Sequence, residues 1–354
     1  MKTNNIKFSS INIIIFFSVV IISCTQPQPT EKETTSKHPA IISSEITLQG
    51  TSEKITMIYG NNRNNINFPS DLDDSYISQL RGKFWVANTE FTNTQAAIVL
   101  KWAYDNEKFS SKRNAANELS SSTINYGGQL LIDLSAPKCP LSYDGQGNFN
   151  IKQGYENKPI IYITWYGAIM LCNWLTEMQD GNTKNVVYTN IVLTHTWSYL
   201  NTDIDNEKTG YRLPTNTERE FVARYNGDNP VNTVPGFKNP YFIKGDSASG
   251  ATANSLNENA TKKVAVYAKQ NPKPTEPADT KSLGLDSANF LKLYDISGNV
   301  SEWMQDCLSF SAYYLGGNWN SEENDIYISK YNLYDVEKSS DFIGFRIYRT
   351  DDSN

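Results

Sequence analysis

The chain has 354 residues, 39% of them hydrophobic and 20% charged, and carries a net charge of −6 at pH 7. That acidic balance, with no basic cluster, excludes a nucleic-acid partner, because polyanion binders need a concentrated positive surface that releases counterions. Four cysteines without Cys-x-x-Cys spacing and two histidines, His38 and His195, argue against zinc-finger, thiol-redox and histidine-triad chemistry.

Residues 1–23 read as a signal peptide, with Lys2 and Lys7 ahead of an apolar run, 11–22, too short to span a bilayer comfortably. The run ends in Ile21-Ile22-Ser23-Cys24, which resembles the lipobox of bacterial lipoproteins and makes Cys24 the lipidated first residue of the mature chain. An ordinary secretory signal is the alternative. Buried acyl methylenes contribute about 0.8 kcal/mol each, so a multiply acylated cysteine would hold the protein on a membrane. Residues 24–44 are polar, lack apolar periodicity and read as a flexible tether reaching about 25 Å. A single domain is expected over 45–354. In it Cys139, Cys172 and Cys307 leave room for one disulfide and one spare thiol, with no pairing favoured.

Within the domain, short β-rich stretches alternate with a few good helices and long polar connections, which indicates an irregular α+β fold. Phe84-Trp85-Val86-Ala87 is strand-like. Thr92 and Gln95 form a capping box that starts a helix through 96–102. Residues 160–163 read as a buried strand, and Thr164 caps a helix over 165–178 that Gly181 closes. Thr215, after Pro214, caps a third helix with Glu218 at N3. Residues 226–281, poor in apolar periodicity, read as a long connection packed over the fold. Strands are expected again at 291–294 and 345–348.

An ordered series of blocks resembles the formylglycine-generating-enzyme (sulfatase-modifying factor) family, a variant of the C-type lectin fold. The blocks are Phe91-Thr92-Asn93-Thr94-Gln95, Ile163-Thr164-Trp165 with Cys172-Asn173-Trp174-Leu175, and Gly210-Tyr211-Arg212-Leu213-Pro214-Thr215 with Glu218 and Glu220. Leu293-Tyr294-Asp295-Ile296-Ser297-Gly298-Asn299-Val300-Ser301-Glu302-Trp303 follows, then Gly316-Gly317-Asn318-Trp319 and Gly344-Phe345-Arg346. Arg219 departs from the family's aromatic at that position. The resemblance implies that the family's oxidases hold copper with a cysteine pair between the last two blocks. This chain has no cysteine there, and Glu322 and Glu323 are poor substitutes for a soft metal, so no catalysis is expected. The alternative is an oxidase, or a degenerate relative, acting on envelope proteins.

What fills that window, 318–342, is rich in Asn, Asp, Ser and Tyr, the composition of antibody recognition loops. Its frame resembles the variable region of diversity-generating-retroelement proteins, treponemal variable lipoproteins among them. The resemblance implies a ligand-binding surface of substitutable residues: Asn320, Asp325, Ile326, Tyr327, Ser329, Tyr331, Asn332, Tyr334, Asp335, Ser340, Asp341 and Phe342. Ordinary surface loops share the composition. Under the binding reading Tyr327, Tyr331 and Tyr334 should be exposed, the partner should be a protein or glycan outside the cell, and the lipid anchor should sit at the cell envelope, on the outer-membrane surface. No cofactor is required. The family's calcium site would fall on Asp295, Gly298, Val300 and Glu302, an oxygen set suited to a hard cation; the other reading has Glu302 bonding loop amides and Asp295 starting a turn.

Overall fold

The computed structural model describes residues 41–351 apart from 62, 64, 71–75, 110–117, 192–201 and 271. The signal segment, Cys24, most of the expected tether and His195 lie outside the described residues. The first strand, Ser43–Thr47, begins two residues before the expected start of the domain.

Alternating side chains explain the central sheet. Its antiparallel order is Ser43–Thr47, Lys54–Asn61, Phe84–Ala87, Tyr348–Thr350 and Tyr211–Arg212, so the closing strand pairs with an early one. Successive side chains point to opposite faces of a strand. Ile55, Met57 and Ala87 therefore enter one apolar cluster, while Ile58, Phe84, Val86 and Tyr348 enter a second. The inner strands Lys54–Asn61 and Phe84–Ala87 are thus covered on both faces, while the edge strand Ser43–Thr47 is largely exposed.

Two helices fill the first cluster. Thr92 and Gln95 form the expected capping box, and α1 spans Asn93–Asp105. The hydroxyl of Thr164 accepts from Gly167 N (3.0 Å) to start α2, Trp165–Asp180, and Gly181 ends it in the left-handed conformation. Gly167 is required by close approach, because a Cβ there would lie 2.3 Å from Leu131 O. Trp165, Ile169, Trp174 and Leu175 of α2 are buried almost completely, and truncating either tryptophan to alanine would cost about 3–5 kcal/mol. Beneath the other face lies α3, Asn216–Arg224, started by the Thr215–Glu218 capping box and contributing Phe221, Val222 and Ala223 to the second cluster.

Three expected strands differ. Ile160, Ile161 and Ile163 are buried and Tyr162 half-buried, but among the described residues the segment makes a single isolated bridge, Ile132 with Ile163. Residues 291–294 are irregular because Asn289 caps them, its Oδ1 accepting from Leu291 N and Leu293 N. In the last strand regular pairing covers only Tyr348–Thr350, although Phe345 O and Ile347 O still accept from Phe91 N and Ala87 N. The 226–281 connection is packed down as expected, with Val234, Ala248, Ala251, Val264 and Tyr267 buried.

Candidate functional site

The window hangs from a second, four-stranded sheet of order Tyr331–Asp335, Ser311–Leu315, Ser301–Leu308, Ile343–Gly344. The chain leaves the second of these strands at Gly316 and Gly317, both at positive φ (101° and 67°). A Cβ would stand 2.9 Å from Ile296 O at the first and 2.5 Å from Asp325 O at the second, so the turn admits only glycine without a shift. Trp319 is buried; its amide donates to Asn299 O (2.8 Å) and its indole Nε1 to Asp341 O (3.1 Å). That indole clasps the two ends of the window together. At the closing block, Phe345 stacks on Phe91 at 4.8 Å. Arg346, fully buried, donates to Glu302 Oε1 from Nε (2.9 Å) and Nη2 (2.7 Å), to Ala87 O (3.0 Å) and to Tyr294 O (2.7 Å).

The twelve candidate positions separate by environment. Three do not face solvent. Ile326 is fully buried among Ala248, Ala251, Val264, Ala265 and Tyr267. Ser329 is buried in a charged network: its Oγ accepts from Arg224 Nη2 (2.6 Å) and donates to Glu220 Oε1 (3.2 Å). Ser340 is buried too, and its carbonyl accepts from Tyr162 N (2.8 Å). The expectation that all twelve form the contact surface is corrected for these three, whose side chains complete the scaffold.

Tyr327, Tyr331 and Tyr334 are half-buried, not exposed as expected. The reason differs at each. Lys330 lies over the Tyr327 ring at 5.9 Å. The Tyr331 hydroxyl donates to Glu220 Oε2 (2.6 Å), and burial, then the Glu220 charge, raises its pKa far above the usual phenol range. Tyr334 joins an aromatic cluster. Strand alternation puts Asn332 and Tyr334 on the face of Tyr314 and Ala312, and Tyr331, Leu333 and Asp335 on the other. On the first face the fully buried Trp303 underlies Tyr314 and Tyr334 (6.3 and 6.1 Å), and Phe342 meets both (6.3 and 6.2 Å). Tyr314, Tyr334 and Phe342 each keep part of their surface in solvent. Of the other candidate positions, Asn320 is exposed, and Asp325, Asn332, Asp335 and Asp341 are half-buried. Lys138 approaches Asp341 (3.6 Å) and lies over Trp319 at 5.4 Å, so a cation already sits at this margin.

Behind the window is a buried carboxylate group that sequence reading found only in part. Asp295 and Glu302 are both buried, and the structure adds Glu90, whose carboxylate accepts from Asn299 Nδ2 (2.6 Å) and Val300 N (3.0 Å). The signal for Glu90 was faint: one acid between apolar Ala87 and Phe91. Asp295 and Asn299 adopt positive φ (56° and 59°), a region these residue types tolerate better than most, and Asp295 Oδ2 accepts from Lys281 N (2.9 Å). Burial pushes Asp295 up to about 6, against the Lys281 amide and Arg346 and with the help of Glu302. Burial, then Asp295 and Glu302, raises Glu90 well above the carboxylate range. Glu302 Oε1 is taken by Arg346, while Oε2 is buried with no partner among the described residues. That orphaned oxygen fits a hard cation, with the Asp295 carboxylate and the carbonyls of Gly298 and Val300 as the remaining oxygens. No group of three or more His, Cys, Asp or Glu side chains among the described residues is arranged around a metal, so such a cation would depend on those carbonyls.

The cysteines do not fit copper. Cys139, Cys172 and Cys307 are all free, so the disulfide considered for them is absent. Burial pushes the Cys139 thiol up to about 11 and the Cys307 thiol up to about 12, and it carries the Cys172 thiol, inside α2, higher still. Copper(I) is held by thiolates, which such sites disfavour at neutral pH.

Residues 58–351 match the family model described as sulfatase-modifying factor enzyme 1-like domain. Treponema denticola variable protein 1 has a similar structure, with a TM-score of 0.55 and 17% identity over 88% of this chain and 99% of its own. The chaperone protein LppX of Paenibacillus barcinonensis is 29% identical over 215 residues, 55% of this chain and 71% of that relative. Strand-rich, with few helices and the blocks of the C-type lectin-like type in order, the chain belongs to the sulfatase-modifying factor enzyme 1-like family.

Proposed function

We propose that this protein binds a ligand without transforming it, and that the window 318–342 is its contact surface. The observation that carries the reading is the cluster of Tyr314, Tyr334 and Phe342, half-buried above the fully buried Trp303. Aromatic rings held rigid from below and open above lose little entropy on binding, which is how such side chains become the main energetic anchors of an interface. Asn320, Asp325, Tyr327, Asn332, Asp335 and Asp341 supply polar contacts elsewhere in the window. Ile326, Ser329 and Ser340 serve the scaffold, and Tyr331 serves it through its hydroxyl. The name chaperone, borne by the LppX relative, fits a protein that holds another molecule.

The partner is a protein or glycan outside the cell, met by a domain tethered through a lipid on Cys24 at the envelope, on the outer-membrane surface. Calcium on Asp295, Gly298, Val300 and Glu302 stiffens the turn beneath the window. Binding requires no cofactor. Panning the domain against a random peptide library and a glycan array tests the assignment. A variant carrying Asn320→Ala, Asn332→Ala, Tyr334→Ala and Phe342→Ala should lose the selectivity of the parent; unchanged selectivity would overturn the reading. Formation of an aldehyde from a Cys-x-Pro-x-Arg peptide with copper and oxygen would replace it with the oxidase. Cys24→Ala should abolish incorporation of labelled fatty acid in a bacterial host.

A further inference from the structure

Resting on that binding assignment, we propose that the window takes its partner as an added β-strand: an extended, basic polypeptide segment pairs with the free edge of Tyr331–Asp335. Among the described residues this strand lies at one end of its sheet and pairs only with Ser311–Leu315. Val336 N donates to Phe310 O (3.1 Å), which sets the phase of the ladder. Antiparallel residues alternate between bonding across the pair and turning away from it. Asn332 and Tyr334 therefore bond inward, while Tyr331, Leu333 and Asp335 turn backbone N–H and C=O groups outward. Asp335 O accepts from Lys338 N in the following turn, and among the described residues no other bond engages the outward groups of Leu333.

Exposed edges are normally protected by lysine, proline or a bulge. The five residues of this strand hold none of them, the nearest lysines being Lys330 and Lys338 outside its ends: Tyr-Asn-Leu-Tyr-Asp runs in unbroken register, and Leu333, at its centre, is 42% exposed beside the Tyr313–Tyr331 ring pair (6.3 Å). An unprotected edge is a template for another strand. Charge selects which. The window holds six carboxylates, Glu322, Glu323, Asp325, Asp335, Glu337 and Asp341, against Lys330 and Lys338. Lys138 pairs with Asp341, Lys269 with Glu322 and Glu323, Lys330 with Asp325 and Lys338 with Asp335, which leaves six carboxylates against four lysines and Glu337, next to the strand, with no lysine beside it among the described residues; that excess favours a cationic segment. Strand addition also separates two tasks. Main-chain bonds at Leu333 do not depend on which side chains the window carries, so they supply a constant share of the affinity, while Asn332, Tyr334 and Asp335 supply the variable share and the specificity.

The probe is a peptide of alternating Lys and Val, with an alternating Glu and Val peptide as control, measured by fluorescence anisotropy together with hydrogen exchange at the Leu333 amide. The basic peptide should bind, the acidic one should not, and exchange at Leu333 should slow on binding. Leu333→Pro removes only an outward N–H, leaves the inward ladder in place and should weaken binding about tenfold. Leu333→Ala keeps that N–H and should cost less than about threefold. Equal binding by Leu333→Pro, unchanged exchange, or no peptide binding at all would overturn strand addition. Saccharide binding that is lost in Tyr334→Ala but indifferent to Leu333→Pro would overturn it while sparing the contact surface. Self-association through the same edge, seen as concentration-dependent size, would make a second copy the occupant and also refute the proposal.

Discussion

Replacing Arg346 by methionine tests whether the closing Gly-Phe-Arg block holds the window sheet to the central one. Arg346 is fully buried and bonds Glu302 twice, and it also bonds carbonyls from two other segments, Ala87 and Tyr294. Removing it leaves the Glu302 charge buried without its partner, a loss of roughly 3–5 kcal/mol in such pairs. Two orphaned carbonyls add about 1 kcal/mol each. The sum, about 5–7 kcal/mol, is comparable with the whole stability of many domains. Urea unfolding followed by tryptophan fluorescence measures it, and Arg346→Met with Glu302→Leu should recover more than half, because an apolar pair replaces a buried ionic one at little cost. A single-variant loss below about 1 kcal/mol, or a double variant no more stable than the single, would refute the argument.

Asp295 makes stability depend on pH. Its folded value of about 6 lies above the ordinary 3.8, so its contribution is complete below about 3.8 and is lost as pH rises through 6. A rise of that size is worth about 3 kcal/mol, a slope that Asp295→Asn should remove and millimolar calcium should flatten in melting curves from pH 4 to 7. Tyr331→Phe loses the bond to Glu220 and should lower stability by about 1–2 kcal/mol in urea titrations, whereas Tyr334→Ala should weaken ligand capture more than folding. Gly317→Ala forces a Cβ to 2.5 Å from Asp325 O at positive φ and should cost about 2 kcal/mol or more, visible as a lower melting temperature.

Local rules wrote the helices into the sequence. Both capping boxes and the left-handed Gly181 are present because cap chemistry depends on neighbours a few residues away. The strands that differ are those whose backbone partners come from elsewhere: 160–163 is as apolar as a strand but finds a single bridge among the described residues. Burial of charge was the least legible property. Arg219 departs from the family's aromatic, yet it is fully buried beneath Gly316 with a hydrogen bond to Ile296 O, and burial lowers its pKa. Glu220 and Arg224 likewise look like the polar side of a surface helix until Ser329 and Tyr331 arrive from over a hundred positions away. Composition marked the window as unusual, but it could not separate the buried Ile326, Ser329 and Ser340 from their more exposed neighbours, because no periodicity runs through them.

The indole clasp of Trp319 on Asp341 joins positions 22 apart. Once the ends of a segment are fixed, the entropic cost of lengthening it grows only with the logarithm of its length, about 0.6 kcal/mol for a full doubling. Near the exposed Asn320 and Asn324, then, the chain has room to gain or lose a few residues for tenths of a kcal/mol, provided Ile326 keeps its buried seat. Relatives that retain both the tryptophan and its carbonyl acceptor are therefore expected to differ in the length of this span as well as in its letters.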